Sequence, residues 1–255
     1  MPSRPLLPFL VIVYATTWLF QLPLVLVAFG VALDPAPLMP LVVLGFFAPL
    51  LAAIVLARLE PPPRTPLLAP LAPRGRIVWY VVALLHGPAL YTAARALWGA
   101  AGGQGAAWAY PLASAANVGA MLIIPFTEQI PWRLFLYPRL EARLGPLGGS
   151  LATGAAWAIF HAQKHLLLGP GTPAAALAAS APLFVVMVAG TVVHTWLQRR
   201  SGAALVVVVA QAGLYLDNPA YAVGSTLVPL WLLAGAYAAL AFAVVSLDPA
   251  RFRRA

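Results

Sequence analysis

The chain contains no cysteine, which excludes disulfides, thiolate catalysis and cysteine-ligated zinc or iron–sulfur sites. Charge is almost as scarce. Only 8% of the 255 residues are Asp, Glu, Lys or Arg, against about a quarter in an ordinary soluble domain. Acids number six, and Lys164 is the single lysine. No polar stretch is long enough for a separate soluble domain, so one domain over residues 1–255 is expected. What the chain does have is apolar sequence, 62% of its residues, in repeated blocks of roughly 20, the length of helix that spans a hydrocarbon core. The expected fold is therefore all-α, a polytopic membrane bundle of about eight transmembrane helices.

The predicted spans are 8–31, 37–57, 76–98, 111–128, 148–168, 174–198, 202–216 and 224–246. Residues 1–5 run into an apolar block longer than a signal-peptide core, so no cleavable signal is expected. The net charge of +9 first resembles a nucleic-acid signature, but its distribution excludes one. Arginines cluster at Arg4, at 58–76, at 133–143, at 199–200 and in the 251–254 tail, while the alternate loops carry none. Alternation of this kind follows the positive-inside rule and predicts both termini in the cytoplasm. Anionic lipid on that side is the expected partner, and a bacterial or archaeal plasma membrane the expected setting. No internal repeat is evident, which argues against an inverted-repeat transporter. Residues 134–144 read as an amphipathic interfacial helix.

Five of the six acids lie where the chain turns or ends; Glu128 falls within or at the edge of a span. A charge at membrane depth costs about 2.5–3.5 kcal/mol on insertion scales, so Glu128 is a functional candidate by default. Arg133 follows five residues later, about 140° around a helix, which predicts that it reaches a helix end, a phosphate or a neighbouring helix rather than Glu128. His161 and His165 share a face of the next span, four residues apart. That spacing suits two zinc ligands, although Ala162 occupies the place of the glutamate in a His-Glu-x-x-His motif. Gln211 and Tyr215 share a face of the seventh span. His194 reads as a packing or interfacial residue, and His86, before Gly87-Pro88, as a side chain that satisfies a proline kink.

Glu128-Gln129-x-x-x-Arg133, then Trp157-x-x-x-His161, then a span entered through Arg199-Arg200-Ser201-Gly202, resemble the CPBP superfamily. That group comprises CAAX prenyl endopeptidases of the Ras-converting type and bacteriocin-processing or immunity membrane proteins. Its signature is two adjacent glutamates with an arginine four after the second, then Phe-x-x-x-His, then His-x-x-x-Asn or Asp. The resemblance covers about residues 111–216 and implies an eight-helix bundle. It implies that Glu128 and His161 activate a water, with Arg133 as the motif arginine and Trp157 in the phenylalanine position. Gln129 stands for the second glutamate, and Gln211 and Tyr215 for the third-motif pair that binds an oxyanion. The implied activity is intramembrane endopeptidase cleavage of a membrane-associated peptide or protein, with no cofactor. Two alternatives stay open: a zinc protease using Glu128, His161 and either His165 or His194, and a catalytically inactive member acting as a membrane peptide- or lipid-binding, immunity or scaffold protein.

Overall fold

The protein was analysed as a computed structural model, which describes residues 6–34, 36–60, 66–103, 115–168, 173–214 and 227–253. Among these residues there are eight α-helices and no strand. They are α1 (Leu6–Ala28), α2 (Met39–Leu59), α3 (Ile77–Ala100), α4 (Ala115–Gln129), α5 (Tyr137–Leu168), α6 (Pro173–Ser201), α7 (Leu205–Leu214) and α8 (Leu227–Leu247). Each predicted span corresponds to one of them. Five helical stretches, in α1, α2, α3, α6 and α8, are long and apolar enough to cross a membrane. The described part of α7 has 10 residues. At 1.5 Å per residue that is about 15 Å, half of a hydrocarbon core.

The surface is the inverse of a soluble protein's. Leu122, Phe242 and Leu247 point outward, whereas Glu128, Gln129, Arg133, His161, His194 and Gln211 are each at most 2% exposed. Apolar side chains meet lipid at no cost, and polar ones are gathered inside where they satisfy one another. The protein is accordingly an integral, all-helical membrane bundle.

Two apolar cores organise it. One joins α1, α2, the segment just before α5 and the second half of α5 through Phe9, Val13, Ala53, Phe135 and Phe160. The other joins α3, α6, α7 and α8 through Ala83, Val193, Val206, Leu233 and Tyr237. The main helix pairs are α1 with α2, α5 with α6, α6 with α8 and α3 with α7. The last pair is close enough that a Cβ on Gly213 would lie 2.1 Å from the Leu84 carbonyl oxygen. That carbonyl is the one Pro88 leaves without its i+4 N–H, so proline and glycine on facing helices admit each other.

Between α4 and α5 the chain does not leave the helix. Residues Ile130–Leu136 form a π-helical segment, closed by the Tyr137 N–H donating to the Trp132 carbonyl. Pro125 and Pro131 withhold two N–H donors just before and within it, which favours the wider turn. The helix then runs on to Gly145, whose φ of 76° reverses the chain. The stretch expected to lie along the interface at 134–144 is thus a continuation of the same descending helix. Glu128 precedes Gly145, and His161 follows it, by nearly equal lengths of helix, which brings the two to the same depth.

Ion pairs tie one end of the bundle. Arg139 pairs with Glu60, Arg199 with Glu141, and Arg200 and Arg251 with Asp248. Arg139, Arg199, Arg200 and Arg251, from three of the arginine clusters, therefore meet on the same side, beside the C-terminal end of α2.

Candidate active site

Glu128 ends α4 facing inward and meets side chains from α5 and α7. Its Oε2 accepts a hydrogen bond from Gln211 Nε2 at 2.7 Å and from Trp157 Nε1 at 3.1 Å. The same oxygen lies 3.6 Å from His161 Nε2. Trp157 and His161 are one turn apart on α5, and their rings are 5.7 Å apart. Phe160 packs edge-on against His161 at 4.8 Å, closing the apolar side of the site.

The carboxylate dictates the orientation of the amides around it. Gln211 turns its NH2 toward the Glu128 carboxylate oxygen, which accepts from it. Its carbonyl oxygen then faces Gln129, which must present its own NH2, and Gln129 Nε2 does donate to Gln211 Oε1. Donation runs in one direction, from Gln129 through Gln211 to Glu128. Two of the positions where the sequence departs from the CPBP signature, Gln129 and Gln211, are thus in direct contact.

Arg133 turns away from Glu128, as the helical spacing predicted. It is 2% exposed, and its Nη1 donates to Thr195 Oγ1 at 2.7 Å and its Nη2 to the Thr191 carbonyl at 2.6 Å. Ser150 adds a bond to the same Thr195 oxygen at 2.7 Å. The guanidinium locks α6 to the π-helical segment one turn from the carboxylate, with Tyr137 5.5 Å below it.

The structure therefore brings together Glu128, Gln129, Trp157, His161 and Gln211, all sequence candidates. His194 is elsewhere, with its ring 5.6 Å from that of His86. Tyr215 and the side chain of His165 lie outside the described residues. Among the described residues no three of His, Asp and Glu converge as metal ligands. Sequence reasoning treated Trp157 as an aromatic replacement and missed its indole N–H as a donor to Glu128. The available signal was that a buried indole nitrogen needs an acceptor. It also missed Thr191, Thr195 and Ser150, for which an apolar chain offers no motif.

Residues 110–216 match the family model of Rce1-like proteins, described as type II CAAX prenyl endopeptidase Rce1-like. No curated protein matches the chain. The match covers α4 to α7, the helices that supply every side chain gathered on Glu128, together with the spacing of Glu128, Arg133, Trp157 and His161. Over residues 110–216 this chain is thus similar to the Rce1-like, CAAX-type members of the CPBP superfamily.

Proposed function

We propose that the protein is an intramembrane endopeptidase of the CAAX type that hydrolyses a peptide bond of a membrane-associated peptide or protein. The observation that carries this reading is a carboxylate and an imidazole 3.6 Å apart, both almost fully buried, inside the segment that matches the family. That separation is just beyond a direct hydrogen bond and within reach of one water held by both groups. Glu128 takes a proton from the water while His161 orients it. The water oxygen attacks the scissile carbonyl, and the proton passes from Glu128 to the departing amine as the C–N bond breaks. Each glutamine NH2 has a second hydrogen beyond the bond already described, and Tyr215 carries a hydroxyl. These are the donors proposed for the oxyanion. No cofactor enters this scheme, and the ion-paired end of the bundle, with both termini, is assigned to the cytoplasm, where its arginines meet anionic lipid.

A second reading rests on Gln211, whose amide is committed to Glu128 and Gln129. If that commitment persists with substrate bound, the site holds a membrane peptide or lipid without cleaving it. Cleavage of membrane-tethered peptides by purified protein, with Glu128→Ala and His161→Ala as controls, separates the two. The protease reading expects cleavage that both substitutions abolish. Cleavage that survives both would overturn it. Silence from the unmodified protein, persisting after Gln129→Glu, Gln211→His and Tyr215→Asn are combined, favours the binding role. Metal analysis of the same preparation tests the zinc alternative, which requires one bound ion per chain.

A further inference from the structure

A second set of polar side chains is buried between α3, α6 and α8, apart from the Glu128 centre. The His86 and His194 rings stand edge to face with centroids 5.6 Å apart, and Tyr237 approaches His86 at 6.1 Å. His194 and Tyr237 are each 2% exposed. His86 Nδ1 lies 2.7 Å from the Ala83 carbonyl oxygen, an acceptor, so Nδ1 carries the proton and Nε2 presents a lone pair. Among the described residues, that Nε2, both ring nitrogens of His194 and the Tyr237 hydroxyl are buried with no hydrogen-bond partner. A buried polar group left unsatisfied is costly, and four in one place require a ligand.

The chemistry of the set defines that ligand. Neutral His86 offers an acceptor, neutral His194 one donor and one acceptor, and Tyr237 both. The set offers three acceptors and two donors, with no carboxylate among them, and the buried Arg133 guanidinium acts electrostatically on His194. Neutral ligands beside a positive charge disfavour a cation. Space limits the guest further. Gly87 and Gly190 border the cluster without side chains. A Cβ on Gly87 would lie 3.4 Å from the Tyr237 hydroxyl and 2.5 Å from Leu214 Cδ2, so there is little room beside that hydroxyl for anything larger than a small molecule.

We propose that His86, His194 and Tyr237 form a second polar site, distinct from the Glu128 centre, whose ligand is internal water bridging the three side chains. A buried water commonly makes about three such bonds. Through Leu214 and Gly87 the site abuts α7 one turn beyond Gln211, so a store of water lies beside the helix that orients Glu128.

The test uses the full chain in detergent and does not depend on protease activity. Radiolytic footprinting in 18O-labelled water, in which hydroxyl radicals form at bound waters, should oxidise Tyr237 despite its burial, while equally buried Phe9 stays unmodified. The isosteric Tyr237→Phe variant, which keeps the ring packing, should lower the melting temperature by a few degrees. Its effect should be non-additive with that of His86→Phe, because one water links the two. An unlabelled Tyr237, together with a neutral or raised melting temperature for Tyr237→Phe, would show a dry cluster and overturn the proposal. So would equimolar binding of cobalt(II), read by its visible spectrum and abolished by His86→Phe, since the ligand would then be a metal ion.

Discussion

His161 and His194 are buried to the same degree in the same bundle, yet they sit in opposite environments. His161 faces a carboxylate, and the surrounding indole and amide donors converge on that carboxylate's oxygen. His194 faces the His86 ring, in a cluster whose members are all neutral and capable of both donating and accepting. The difference teaches what organises polar groups where no bulk water reaches. An acceptor-only group such as Glu128 fixes the direction of every neighbouring bond, so Gln211 and Gln129 have a single consistent orientation. A set of neutral groups has no such director, and its bonds are completed by a guest that also donates and accepts. The first arrangement is the one proposed to activate a water for chemistry, the second the one proposed to store it.

The sharpest way to break this contrast is at Glu128. Glu128→Gln removes the base while keeping the shape, and cleavage of a tethered peptide should fall about 10²–10⁴-fold, the usual contribution of a general base. A variant with more than a tenth of the original rate would remove Glu128 from the mechanism. Paired substitutions of the two histidines come next. His161→Phe should eliminate cleavage with little change in melting temperature, whereas His194→Phe should lower the melting temperature by stripping a bridging partner from His86 and Tyr237. Reversal of that pattern would mean the two sites have been assigned the wrong way round.

Trp157→Phe is subtler because phenylalanine is the residue of the family signature. It keeps the ring and deletes one donor to an ionised acceptor, worth about 1.5–3 kcal/mol, so a rate loss of roughly ten- to a hundredfold is expected. An unchanged rate and pH profile would show that the indole N–H does not act on Glu128. Gly213→Ala drives a methyl into the Leu84 carbonyl and should cost about 1–3 kcal/mol, read as a lower unfolding temperature. Asp248→Asn weakens pairs at the bundle end in which Arg200 is 44% exposed, and a change of about 1 kcal/mol or less is expected.

Much of this protein is legible before any coordinates. Each predicted span lies on a helix, because a hydrophobic block of membrane length in lipid has no lower-energy conformation than a helix. Glu128 stood out as the one acid within or at the edge of a span and His161 as one of two histidines on one face of the next, while Arg133 and Trp157 gained their roles from the resemblance to the CPBP signature. The departures have physical causes. The expected interfacial helix at 134–144 became part of a longer helix because Pro125 and Pro131 favour a π-helical turn instead of a break. Gly145 then placed the reversal later. Trp157's donor role went unread because an aromatic in an apolar chain looks like packing.

The sequence by itself determined the solvent this chain lives in, the placement of its apolar helical spans, and the identity of the one acid within or at the edge of a span. Those follow from composition and period, which are local properties. The tertiary structure alone decided that Gln129 donates to Gln211 and Gln211 to Glu128, that Arg133 binds Thr191 and Thr195, and that His194 belongs with His86 and Tyr237. Hydrogen bonding is short-ranged and directional, so which donor meets which acceptor depends on how separate helices pack, and no pattern along a single helix encodes that.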